Sequence, residues 1–330
     1  MLNEDDRERI SRGFSVYEHE WRFLAGYLGE PFLIDSCLVY WDGRTLNICA
    51  LPLNGDDTVL GRSDLERIAA RFAEVHEVEL VHVWGSIAVP DALTVGNSVL
   101  GLTDQASVDS SFDGEHTIDL DDFSLGKLPE AAKSLRGVRN KGLTIAVKRV
   151  DQFAGSYYRI IEYWRQMHNI GAMASCAAAT LPSYCRESHV VVVEASDQGR
   201  PCGFVVVAQP KADRAVRVLS FSLRSKGGRV GDALMFATID YCMNAGVRTL
   251  HCGYAGSDSL SRFKEKWGAR STGPGYRQAM FATDPGWRAR ANEYRFYWAH
   301  RMMRQSMPSQ SETITPNETG IAGIARQSVA

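Results

Sequence analysis

The sequence has no long apolar run. Nothing in it approaches the roughly 20 consecutive apolar residues that a membrane-crossing helix needs, and the acidic start MLNEDDRERI is the reverse of a signal peptide. The expectation is a soluble, cytoplasmic chain without a membrane span. Cysteine is sparse and unpatterned. The seven residues Cys37, Cys49, Cys176, Cys185, Cys202, Cys242 and Cys252 are odd in number and include no CxxC pair, which argues against a disulfide framework or a zinc ribbon and for reduced thiols. There is also no Walker loop, no dinucleotide fingerprint, no Ser/His/Asp arrangement at an informative spacing and no metal-ligand cluster, so no metal is expected. Net charge is nearly absent as well, with 37 Lys/Arg against 39 Asp/Glu.

What is present is an uneven distribution of that charge. Through residue 130 there are 9 Lys/Arg against 25 Asp/Glu, and beyond it 28 against 14. A basic half of this kind points to a polyanionic partner; the alternative is that the halves neutralise each other across an interface. At 330 residues and 45% hydrophobic content the chain is long enough for two cores of ordinary size.

Periodicity organises the halves alike. The first predicts a helix around Tyr17–Tyr27, strands at Cys37–Tyr40 and Leu46–Leu51, a helix from Asp64 to His76 on Leu65, Ile68, Ala69 and Phe72, and a strand at Leu80–Trp84. A polar loop, Gly101–Gly114, leads to HTIDLDDF, a short strand, and to the basic segment KSLRGVRNKGLTIAVKRV, where a hinge is expected. The second half opens with the helix YYRIIEYWRQMHN. Three strands follow, SHVVVVEAS, PCGFVVVAQ and AVRVLSFSL, and their short turns DQGR and PKADR predict antiparallel hairpins. Then come the loop RSKGGRVG, a helix ending at Gly246, a strand at Arg248–Cys252, the helix SLSRFKEKWGA, a strand at Tyr276–Ala282 and a helix near Trp287–Arg304. From about Ser306 the tail is polar and aperiodic, as disordered segments are.

This order of strands, Gly-rich loop, helix, strand and helix resembles the Gcn5-related acyltransferase fold. The residues HTIDL, GGRVGDALMFATIDYCMNAGVRTLHCGYAGSD and LSRFKEKWGA make residues 116–283 similar to the acyltransferase module of Fem peptidyltransferases and of lysylphosphatidylglycerol synthases. The resemblance implies an α/β fold of two such modules in tandem, with mixed, mostly antiparallel sheets flanked by helices. It divides the chain into an acidic acceptor-side module (1–115), a basic donor-side module (116–305) and a tail (306–330). It further implies transfer of an aminoacyl group from aminoacyl-tRNA, without a bound cofactor, to an amine or hydroxyl of a soluble small molecule or a cell-wall precursor. Acyl-coenzyme A is the alternative donor, and a non-catalytic binding module is the third reading.

The candidate residues follow from both lines. Gly227, Gly228 and Gly231 let backbone N–H groups approach a phosphate at a helix start, with Arg224, Lys226 and Arg229 as cations around them. Coenzyme A enzymes of this fold carry Arg/Gln-x-x-Gly-x-Gly/Ala there; Arg229 stands where Gly or Ala is expected and crowds the pyrophosphate path. In SLSRFKEKWGA, Phe263 and Trp267 are expected to share the buried stripe. Arg262 flanks it, and Lys264 faces elsewhere, where the resemblance puts a lysine beside the reacting groups to hold an oxyanion or a phosphate. Tyr254, just past a strand, is placed to hydrogen-bond the attacked carbonyl. Glu194 is a base if it faces the cleft. His251 reads as a satisfied core histidine in preference to a catalyst.

Overall fold

The computed structural model describes residues 2–15, 19–53, 60–85, 90–102, 114–139, 142–168, 171–223, 229–255, 257–272 and 277–282. Helix α1 (Glu4–Gly13) begins at Asn3, whose side chain accepts from the Asp6 amide while Asp6 returns the bond to the Asn3 amide. Next come α2 (Trp21–Leu28), the strands β1 (Glu30–Ile34), β2 (Cys37–Trp41) and β3 (Thr45–Pro52), helix α3 (Arg62–Ala73), and β4 (Leu80–Gly85), β5 (Ala92–Val95) and β6 (Ser98–Leu102). Leu65, Ile68, Ala69 and Phe72 are the buried face of α3, as their spacing requires.

The chain then changes sheets. It continues through β7 (Glu115–Asp119), α4 (Pro129–Arg139), β8 (Leu143–Lys148), α5 (Gly155–His168), α6 (Gly171–Tyr184), and the strands β9 (Val190–Asp197), β10 (Arg200–Lys211) and β11 (Arg214–Ser222). It closes with α7 (Arg229–Asn244), β12 (Thr249–His251), α8 (Asp258–Lys266), β13 (Arg270–Thr272) and β14 (Arg277–Ala282). Two seven-stranded sheets result, one ordered β1-β2-β3-β4-β14-β6-β5 and the other β13-β7-β12-β11-β10-β9-β8. β9, β10 and β11 pair antiparallel, as their short turns demanded. The strand expected near Tyr276–Ala282 in the second half instead belongs to the first sheet: β14 pairs with β4 and β6. The expected helix near Trp287–Arg304, the tail, and most of the Gly101–Gly114 loop lie outside the described residues.

Apolar clusters define the layers. α3 covers one face of the first sheet through Leu65, Phe72, Val81 and Phe281. Between the two sheets, α1, α2, α5 and α6 fill a shared core in which Leu38 and Tyr40 of β2 belong with Phe204 and Val206 of β10 and Val216 of β11. α7 and the start of α4 pack on the outer face of the second sheet through Leu234, Ile239 and Ala131, joined there by Trp267. Since both faces of the second sheet are covered, β9 is buried almost throughout, which explains its unbroken apolar run.

Candidate functional site

The second sheet opens between β11 and β12. These strands are parallel and pair only at Arg214↔Thr249, Ala215↔Leu250 and Val216↔His251. Beyond that point β11 runs on to Ser222 beside β10, while the chain after β12 turns toward β7, where the Cys252 amide donates to His116 O and Gly253 O accepts from the His116 amide. β11 also holds an extra residue here. Val206 faces Leu219 and Val207 faces Arg217, so Val218 is a bulge, a feature that unpairs backbone groups and re-aims side chains next to sites.

Helix α8 closes the fork from below. Ser257 caps it, accepting from the Leu260 amide, and its end is set by WGA: Gly268 takes φ +85°, its amide reaches Glu265 O, and the Ala269 amide reaches Lys264 O. That is the paired C-terminal motif that a left-handed glycine permits. The turn fixes which residues point inward. Trp267 is fully buried and its Nε1–H donates 3.0 Å to Asp232 Oδ1, an oxygen that also takes the Lys266 ammonium. Lys264, expected to face away from the packed stripe, is buried in it at 2% exposure. Its Nζ donates to the carbonyls of Gly253 (2.6 Å) and Tyr254 (2.7 Å), which the positive φ of Gly253 brings round to it. An ammonium has three protons, so one is left over for another acceptor. Burial draws the pKa of Lys264 down to about 8; Arg217 pushes the same way, against Cys252 and Glu115.

Around this lysine stands a buried polar cluster that sequence reasoning did not assemble. His251, 2% exposed, meets Glu115 Oε1 through Nδ1 at 3.1 Å. His116 Nε2 lies 3.0 Å from Ser261 Oγ, whose hydroxyl donates to Glu265. Arg217, on the strand just past the fork, is only partly buried in area, yet its Nε is enclosed without a hydrogen-bond partner among the described residues. Burial pushes the Cys252 thiol up to about 11, with Arg217 and Lys264 opposing. A signal existed for Arg217, a cation inside the apolar run AVRVLSFSL, and for Glu115, which directly precedes HTIDL.

The remaining candidates scatter. Tyr254 is half-buried at the fork and contributes its carbonyl to Lys264. Glu194 lies on β9, three strand spacings from β12 or about 14 Å, and its acceptors are engaged: the Tyr157 hydroxyl at 2.6 Å, Lys148 at 2.9 Å and Ser196 at 3.1 Å. Burial pushes its pKa up, but these donors outweigh burial and hold it below the usual carboxylate value. Glu194 is thereby a charged structural anchor between β9 and α5. Arg229 opens α7 with its guanidinium over Gly137 of α4, and Gly231 packs near the Phe263 ring. Arg262 is exposed on α8. Arg224, Lys226, Gly227 and Gly228 lie outside the described residues. No helix of the described residues is long and apolar enough to cross a membrane.

No family model matches the sequence, and no curated protein matches it. Solved structures do share its fold. The C-terminal domain (DUF2156) of a lysylphosphatidylglycerol synthetase from Agrobacterium fabrum is similar with a TM-score of 0.51 at 16% identity, over 88% of this chain and 96% of that one. A conserved protein of unknown function from Bacteroides thetaiotaomicron reaches 0.54 at 11% identity, over 86% and 98%. FemX reaches 0.50 at 8% identity, over 88% and 98%. The fold is therefore the expected α/β one, two mixed and mostly antiparallel sheets flanked by helices, and it is shared with these structures.

Proposed function

We propose that this chain is an acyltransferase that moves an aminoacyl group from an aminoacyl-tRNA to an amine or hydroxyl of a soluble small molecule or cell-wall precursor. The observation that carries the reading is the fork between β11 and β12 with Lys264 enclosed at its base, on a fold shared with a lysylphosphatidylglycerol synthetase domain and FemX. Acyl transfer by direct attack needs alignment of the two reactants and a donor for the oxyanion, and no metal or nucleophile of the enzyme. In this role the third Lys264 proton meets the carbonyl oxygen as negative charge develops on it, while Tyr254 orders the loop that holds the lysine. The excess of cations beyond residue 130, with Arg224 and Lys226 preceding α7 in the sequence, Arg229 at its start and Arg262 on α8, takes the phosphates of the donor.

The test is donor binding and turnover together. Binding of charged tRNA to the chain should weaken steeply from low to high salt as phosphate contacts release counterions, and the bound aminoacyl group should be consumed. Absence of binding at low salt, with turnover of acetyl-coenzyme A, would replace tRNA by acyl-coenzyme A as the donor. Binding without turnover of either donor would leave a binding module.

A further inference from the structure

We infer that Glu115 and His251 form the proton acceptor of the transfer, a role that rests on the acyl-transfer reading above. β7 and β12 run antiparallel with His251 opposite Thr117, so Glu115, two residues along, shares the face of His251 and is its diagonal neighbour. Both side chains are buried, at 4% and 2% exposure, and the ring meets Oε1 through Nδ1 at 3.1 Å. A carboxylate only accepts, so the Nδ1 of the ring carries a proton, and the neutral ring, with that one proton placed, presents a bare Nε2. That nitrogen is enclosed and has no hydrogen-bond partner among the described residues. A histidine serving only to fill the core has both nitrogens satisfied; one oriented by a carboxylate with a free second nitrogen has the arrangement of a general base. Its position agrees, because Val216↔His251 is the last pair before the strands part.

Phe14 covers the ring, edge-on at 5.6 Å between centroids, and also meets the His19 ring edge-on at 6.1 Å. The acceptor displaces this edge. The lone pair of its amine forms the amide bond to the ester carbon of the donor, and the N–H proton passes to His251 Nε2. The ester C–O bond breaks, and the same proton leaves with the ribose oxygen. Glu115 balances the imidazolium in between.

The full-length chain is assayed with bulk 14C-aminoacyl-tRNA and, separately, acetyl-coenzyme A as donors. Ethanolamine, which carries both an amine and a hydroxyl, is the acceptor probe. The 15N-labelled chain is examined by NMR at neutral pH. Expected are a His251 ring protonated on Nδ1 alone, a His251→Ala rate about 10²–10⁴-fold below wild type, and partial recovery on adding imidazole. His251→Gln, closer in volume, is slow in the same way should the alanine variant fail to fold. A ring protonated on Nε2, a His251 variant as fast as wild type, or a slow His251→Ala enzyme indifferent to imidazole overturns the pair and leaves transfer standing. A wild-type chain inactive with both donors overturns the transfer reading itself, and the pair with it, whatever the tautomer of the ring.

Discussion

At the scale of single residues, α8 shows why burial was misread. The four-residue spacing of Phe263 and Trp267 suggested the inward stripe, yet the residues the helix buries are Ser261 and Lys264, in line with Trp267 at three-residue steps. An apolarity pattern passes over a serine and a lysine. They are inside because each has partners there: Ser261 has His116 and Glu265, and Lys264 has two carbonyls. This placement makes Lys264 sensitive to pH in a definite direction. Its folded pKa, about 8, is below the ordinary 10.5. Below about pH 8 the amine is charged in both states and the burial penalty is complete. Between pH 8 and 10.5 the unfolded chain holds the extra proton, so stability rises with pH, by up to about 3 kcal/mol for this one group. Urea unfolding of wild type and Lys264→Met between pH 7.5 and 10 should therefore show the wild type gaining on the variant as pH increases. A constant difference would mean that the lysine keeps an ordinary pKa in the fold. Trp267→Ala belongs to a different class: removing a fully buried indole should cost about 3–5 kcal/mol at any pH in that range, read from the same denaturation curves.

At the scale of elements, legibility followed pattern strength. The β9–β11 hairpins were plain because three apolar runs are joined by turns too short for anything else, and α3 and α7 were plain from periodicity and a terminal glycine. α6 was not, since GAMASCAAATLPSY is small and apolar all round, with Pro182 inside, and shows almost no preferred face. α1 was missed for the opposite reason: nearly every residue is charged, and Ile10 and Gly13 are its only buried positions. The fork left no trace in composition, since a bulge at Val218 and the end of a strand pair have no residue signature, and only the resemblance, which puts a splayed sheet just before Tyr254, pointed to it. One contact between elements can be tested directly. α7 approaches β10 so closely at Gly203 that a Cβ there would lie 2.6 Å from Val230 Cγ1 and 3.0 Å from Ser222 Cβ. Gly203→Ala should force the first turn of α7 away from the end of β11 and cost about 1–3 kcal/mol, the usual range for overpacking. As that turn is where donor phosphates are proposed to sit, the donor KM should rise with it. A variant as stable as wild type would show that α7 gives way freely.

At the scale of the whole molecule, the two halves legible in the sequence are not two independent bodies. The first sheet needs β14, a strand drawn from the far end of the described chain and inserted between β4 and β6, so that among the described residues β5 and β6 are joined to the rest of the sheet only through it. The core between the sheets is likewise shared: Tyr40 of the first half and Phe204 and Phe221 of the second line one cluster. A fragment of residues 1–115 would expose the edge of β4 and the inner faces of β2 and β3, and would have lost most of the surface that buries Leu38 and Tyr40. Such a fragment should lack a cooperative unfolding transition. The full-length chain should unfold in one step, with fluorescence and far-UV circular dichroism tracing the same curve. Restoring β14 alone, by fusing residues 277–282 behind residue 102, repairs the sheet but not the core, so it should recover strand content while still binding a hydrophobic dye. A fragment 1–115 that melts cooperatively by itself would overturn this view and make each module a separate folding unit, with the fork and its proposed acyl donor site carried by the second alone.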